Sequence, residues 1–172
     1  YINKTEFKTK IGKFYCLWEE RVDGITILFL GTGRKYFEEI IKRIKDKHSA
    51  SEKISFRNKE SRSIEDKING YLSGRIRNLN FKFDFLTGTL FQKKIWSVTA
   101  TVPYGRTASY KEVAELAGFK KAWRAAGSAL NKNLILLIIP CHRVIKSNGD
   151  FGRFGGGKKL ELKKFLINLE KN

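Results

Sequence analysis

The texture of this chain changes at Gly88-Thr89, from mixed strand and helix patterns to helices, and that boundary limits the fold more than any other feature. Before it, residues 12–20 and 25–30 read as strands, with Asp23-Gly24 between them as a hairpin turn. Phe37, Ile40, Ile41 and Ile44 then recur at the spacing of a helix over 35–47. Residues 49–62 are polar and mixed in charge, which predicts an exposed loop. Ser63 with Asp66 resembles a helix start and Gly74 a stop, giving a second short helix over 63–73. Phe81, Phe83 and Phe85 alternate as in a strand. No internal repeat or low-complexity stretch interrupts the pattern.

Beyond the boundary the texture is helical. Thr89 can cap a helix holding Phe91, Ile95, Trp96 and Val98, which Val102-Pro103-Tyr104-Gly105 breaks. Ser109 and Glu112 have the spacing of a capping box, with Val113, Ala114 and Leu116 as the apolar face and Gly118 as the stop. A third helix over 121–131 is rich in small residues. Helix, short turn and second helix read either as a helix-turn-helix or as a helical hairpin in a core. A glycine-rich loop, Gly149 to Gly157, leads to an amphipathic helix over 160–169. Two domains are expected, residues 1–87 and 88–172.

The charge narrows the partners. Thirty-five Lys and Arg face seventeen Asp and Glu, a net +18, and a field of that sign attracts polyanions. Residues 88–172 carry +11 against +7 for residues 1–87, so the second half is the expected nucleic-acid face. The longest apolar stretch, Leu134 to Pro140, has the length of a buried strand and not of a membrane span. Tyr1-Ile2-Asn3-Lys4 does not open a signal peptide pattern. Two cysteines without a CxxC exclude a disulfide framework, and the two His, far apart in sequence, make a zinc site improbable. Cys16 lies in an apolar run and reads as a small core residue.

The chemistry concentrates in Pro140-Cys141-His142-Arg143. An apolar strand is expected to run into Pro140 and present the triplet at its end. A thiol attacks as thiolate, and a neighbouring base or cation promotes that form. His142 is the candidate base and Arg143 a source of positive charge. The histidine needs an orienting carboxylate, for which Glu170, Glu112 and Glu115 are candidates.

Pro140-Cys141-His142-Arg143-Val144 followed by Gly149-Asp150-Phe151-Gly152-Arg153-Phe154-Gly155-Gly156 resembles the active-site signature of the O6-alkylguanine-DNA alkyltransferases. Five further blocks fall in that family's order: Phe91 to Trp96, Val102 to Gly105, Thr107 to Tyr110, Ala122 to Gly127 and Leu166 to Glu170. The likeness covers residues 88–170. It implies a small β-sheet with flanking helices in an N-terminal α/β domain, and a mostly α, winged-helix-like C-terminal domain with a helix-turn-helix.

The same resemblance assigns roles. The alkyl group passes irreversibly from guanine O6 in duplex DNA to Cys141, with O4-alkylthymine as a second candidate substrate. Glu170 orients His142, which takes the thiol proton through water. Tyr110 helps rotate the nucleotide and donates to guanine N3. Asn133 braces the active-site turn, although Asn133-Leu134 stands where the family usually has Asn-Pro. Arg124 fills the gap left by a flipped nucleotide, on a second helix whose small residues, Ala125 and Ala126 among them, sit close in the minor groove. Arg143 adds to the DNA-facing set. The backbone of Cys141 and Val144 accepts the guanine amine, and Phe154, Gly155 and Gly156 wall the pocket. Arg153-Phe154 departs from the usual Gly-Tyr, and Lys158-Lys159 marks an apparent insertion.

No metal and no cofactor are implied. The expected partner is double-stranded DNA containing O6-alkylguanine, the expected state a monomer, and the expected location the cytoplasm, or the nucleus in a eukaryote. The alternative is an alkyltransferase-like protein that binds lesions without transfer. Such proteins typically carry Trp in place of the nucleophile, and Cys141 argues against that reading. A cysteine hydrolase would need an oxyanion hole and a turned-over acyl group.

Overall fold

The computed structural model describes residues 2–47, 59–152 and 157–171. They form two compact units, Tyr1–Leu86 and Thr87–Asn172. The first is built on a four-stranded sheet in sequential order: β1 (Asn3–Thr9), β2 (Gly12–Arg21), β3 (Gly24–Gly31) and β4 (Lys82–Phe83). β1, β2 and β3 are antiparallel, and β4 runs parallel to β3. Phe14 through Trp18 are all buried, because β2 is the inner strand of the β1–β3 meander and both its faces are covered. Helix α1 (Arg34–Lys47) lays Phe37 against Tyr15 and Phe29, with ring centroids 5.1 and 5.5 Å apart. Cys16 is fully buried within this layer, and burial pushes its thiol far up.

Two expectations change in this unit. β1 was not foreseen, since Asn3–Thr9 is mostly polar. It forms because Phe7, buried with Asn3, pairs with Phe14 across the ladder, while Lys4, Thr5, Glu6, Lys8 and Thr9 stay at least partly exposed on this edge strand. Helix α2 runs from Lys59 to Leu72, so Ser63 lies inside a helix and does not start one. Ile64, Ile68, Tyr71 and Leu72 give α2 its buried stripe. His48 and most of the expected loop lie outside the described residues.

The second unit follows the helical reading closely. Helix α3 (Leu90–Ala100) starts in a capping box in which the Thr89 side chain accepts from the Gln92 N–H and the Gln92 side chain accepts from the Thr89 N–H. β5 (Ala108–Ser109) leads directly into α4 (Tyr110–Leu116), capped in the same way by Ser109 and Glu112. Gly118, at φ 88°, turns the chain toward α5 (Trp123–Asn131). The core between these helices holds Ile95, Trp96, Val113, Ala126, Ala129 and Leu130, and the Trp96 indole N–H donates to the Ala129 carbonyl at 2.8 Å. β6 (Val144–Ile145) pairs in parallel with β5, and α6 (Gly157–Lys171) closes the unit.

The apolar run Leu134–Pro140 is mostly buried, with Leu136 and Ile138 half-buried, but it is not a strand. It is a folded turn in which Leu137 takes φ 70° and the Ile139 N–H bonds back to the Ile135 carbonyl at 3.0 Å. Asn133 supplies what a sheet partner would otherwise give. Its side-chain oxygen accepts from the Ile135 N–H and its amide donates to the Ile139 carbonyl, both at 2.9 Å.

Candidate active site

Cys141 opens a short 3₁₀ turn, Cys141–Arg143, directly after that buried segment. The turn is tied to the start of α4 through the β5–β6 pair, in which Ala108 faces Val144 and Ser109 faces Ile145. Tyr110 therefore follows one strand of the pair while Cys141 precedes the other. Cys141 is 3% exposed. Burial raises its thiol above the usual value, and the Asn133 side chain, the Lys163 ammonium and local backbone N–H groups pull the other way.

The His142 Nε2 lies 2.6 Å from Glu170 Oε1, with both side chains buried. Burial lowers the His142 pKa below its ordinary value. The Glu170 carboxylate opposes that shift, while Arg143 and Lys163 add to it. The resting pair is thus a neutral thiol beside a neutral imidazole. With Nε2–H donating to Glu170, Nδ1 is the basic nitrogen. Of the three carboxylates considered from the sequence, Glu170 is the one at the histidine. Glu112 is engaged in the Ser109 cap.

Arg143 departs from its expected place on the DNA face. It is 8% exposed, and its Nε and Nη2 hold the two Glu170 oxygens at 2.8 and 3.0 Å. Its Nη1 donates to the Val102 carbonyl at 2.6 Å. The Gly105 N–H adds a fourth contact to Glu170 at 3.1 Å. Gly105 adopts φ 74°, and a Cβ there would come within 3.0 Å of the Glu170 carbonyl, so the break after α3 requires glycine.

Lys163 is a site residue that the sequence reading missed. It is fully buried and donates to the Val144 carbonyl, to the Phe151 carbonyl at 2.8 Å and to the Tyr110 hydroxyl at 3.3 Å. Burial lowers its pKa to about 8. The signal was present in helical spacing: Lys163, Leu166, Ile167 and Glu170 form one i, i+3, i+4, i+7 stripe, all buried.

The Tyr110 phenol is kept protonated by burial, with the nearby Cys141 acting in the same direction. Gly152, at φ 72°, passes so close that a Cβ would sit 3.3 Å from the phenol oxygen. Tyr110 also lines a cleft of about 1050 Å³ with Arg124, Trp123, Gly127 and Lys146. Arg124 and Ala125 are exposed. Ala126 is fully buried in the helical core, so its small size serves helix packing and not a groove contact. Val144 is buried, and its carbonyl, expected to meet the guanine amine, already accepts from Lys163. The Cys141 carbonyl accepts from the Val144 N–H. Each of these oxygens retains a second lone pair for a ligand. Phe154, Gly155 and Gly156 lie outside the described residues, as does Arg153.

A buried Cys141 followed in the chain by a buried His142–Glu170 pair, beside two helices joined by a tight turn, fits a DNA-directed protein with a cysteine nucleophile, and the comparisons give the class. Residues 90–172 match the DNA-binding domain of 6-O-methylguanine DNA methyltransferase. A methylated-DNA–protein-cysteine methyltransferase of Methanosarcina acetivorans is 36% identical over 159 residues, covering 91% of this chain and 97% of that protein. The Methanosarcina barkeri protein of the same name is 41% identical over 111 residues, 64% of this chain and 68% of its own. Among solved structures, Mycobacterium tuberculosis OGT in complex with DNA superposes with a TM-score of 0.76 at 27% identity, covering 98% of this chain and 92% of that one. The chain belongs to the methylated-DNA–protein-cysteine methyltransferase family.

Proposed function

We propose that this protein repairs alkylated DNA by moving the alkyl group from guanine O6 onto Cys141, once per molecule. The observation that carries this reading is the buried His142–Glu170 pair, whose histidine is the next residue after Cys141. The thiol proton passes to His142 Nδ1, through a water, and Glu170 stabilises the imidazolium that forms. The thiolate sulfur attacks the alkyl carbon; the S–C bond forms as the C–O bond breaks. Tyr110 gives its proton to guanine N3, so the base leaves neutral. The phenolate left behind faces the Lys163 ammonium, and solvent returns the proton from His142. The thioether has no ready hydrolytic exit, so one transfer ends the molecule's activity.

In a stacked duplex O6 is out of reach of in-line attack, and the nucleotide has to leave the stack. Arg124, exposed on α5 at the edge of the cleft, suits the vacated space, because a guanidinium is both flat and cationic. The minor groove then receives α5, and the protein works as a monomer in the compartment that holds the DNA. Among the described residues no helix is long and apolar enough to cross a membrane.

The test is intact-protein mass spectrometry after incubation with a duplex carrying one O6-methylguanine, followed by peptide mapping. The expected result is a gain of one methylene on the peptide with Cys141, saturating at one per chain. Tight lesion binding without a mass gain would make the protein a lesion binder instead.

A further inference from the structure

Three tryptophans occur in the chain, and they do not share an environment. Trp18 and Trp96 are 0% and 2% exposed, each inside the core of its own unit, whereas Trp123 is 43% exposed. It occupies the first position of α5, next to Arg124, and lines the same cleft as Tyr110. One turn further along α5 stands Gly127, whose missing side chain leaves the cleft floor bare. A Cβ built there would lie 3.7 Å from the Tyr110 ring. An indole and a phenol thus border a glycine-floored recess, with Lys111, Arg124 and Lys146 around it. Flat apolar walls among cations are the combination that holds nucleobases by their π-faces while the phosphates are neutralised nearby.

We propose that Trp123 is a base-stacking residue: its indole packs on the nucleobase adjoining the alkylated nucleotide when DNA occupies the cleft. The inference rests on the reading of the cleft as the DNA site. It divides the labour on α5, with Arg124 holding the vacated position and Trp123 holding the neighbouring base. It also gives DNA affinity a component that added salt does not remove, because stacking releases no counterions.

The experiment uses the full chain carrying Cys141→Ser, so that binding stays at equilibrium, and a duplex with one O6-methylguanine and 2-aminopurine as its neighbour. Saturation with an unlabelled duplex should quench the tryptophan emission that Trp123 contributes, and Trp123→Phe should abolish that change. The 2-aminopurine emission should fall on binding as the indole stacks on it. Trp123→Ala should weaken binding about tenfold, on the scale of one lost base–aromatic contact, with Phe restoring most of it. The slope of log Kd against log salt should stay the same. Unchanged tryptophan and 2-aminopurine signals at saturation would overturn the proposal. So would native affinity in Trp123→Ala, or a loss of affinity with a shallower salt slope, which would mean that Trp123 acts by positioning a cation. Should Trp123→Ala fail to fold, the two emission signals in the Trp123-containing chain decide alone. Methyl transfer to Cys141 in the unmutated protein is measured separately. Transfer without quenching overturns the stacking role only, and quenching without transfer overturns the repair reading only.

Discussion

Arg143 clasps both oxygens of Glu170, at 2.8 and 3.0 Å, while His142 leans on one of those oxygens at 2.6 Å. The Glu170 carboxylate is therefore already neutralised by Arg143. Burial lowers the proton affinity of His142 in the resting site, the Glu170 carboxylate opposes that shift, and the Arg143 charge adds to it. The clasp also makes Glu170 the counter-ion of a buried arginine, which sets the first expected outcome.

Glu170→Gln should cost far more stability than an ordinary polar substitution. It leaves the Arg143 charge buried without compensation, a loss of about 3–5 kcal/mol. Denaturant unfolding measures it. The transfer rate should fall about 100-fold or more, because the base loses the carboxylate that orients it and stabilises its charged form. A fall in rate with no change in stability would separate Arg143 from the pair.

The pH dependence follows from His142. Its pKa is depressed below the ordinary 6.5, so the neutral base persists as the solution becomes acid. The acid limb of the single-turnover rate should lie below pH 6.5. For stability, the unfolded chain takes up a proton near 6.5 that the folded chain refuses until lower pH. Stability should therefore fall as pH drops from 6.5 toward the folded-state value. An acid limb above 6.5 would show that Glu170 outweighs burial.

Lys163→Met removes the donor to two backbone carbonyls and to the Tyr110 hydroxyl. Each buried acceptor left without a donor costs about 1–3 kcal/mol, offset by the relief of burying an ammonium. Transfer should slow severalfold while DNA affinity holds. The pH signature is specific: the unfolded lysine keeps its proton to about 10.5 and the folded one releases it from about 8. Stability of the unmutated protein, relative to the Met variant, should thus rise between those values. A flat difference would mean that Lys163 is solvated in the folded state.

Arg124→Ala should reduce repair in duplex DNA by about 100-fold, as expected when a reacting group is no longer held in place. Reaction with free O6-benzylguanine should change little, because no nucleotide has to leave a stack. Parallel second-order rate constants for the two substrates make the comparison. Equal losses would remove Arg124 from the flipping step.

Much of this was legible in the chain. Thr89 and Ser109 read as caps because a hydroxyl three residues before Gln or Glu satisfies helix donors by local geometry alone, with no distant partner. The β2–β3 hairpin was legible for the same reason, through Asp23-Gly24. Leu134–Pro140 misled because apolarity reports burial, not backbone path. The path depends on Asn133 bonds within the turn and on a positive φ at Leu137, a residue that rarely adopts one. Ser63 matched a cap pattern, yet α2 had already begun at Lys59. Lys163 is hard to read as a site residue because lysine usually faces water, and only its place on a buried stripe marks it. Arg143 reads as outward-facing in the sequence because nothing local shows that it shares Glu170 with its own neighbour.

Helix α6 holds both Lys163 and Glu170, and the chain reaches it only after Cys141 and His142 have been laid down. During synthesis the thiol therefore exists for a time without the carboxylate that orients its base and without the cation beside its proton donor. The nascent chain carries a cysteine of ordinary temper. The proposed catalytic set is therefore complete only once this late helix has docked.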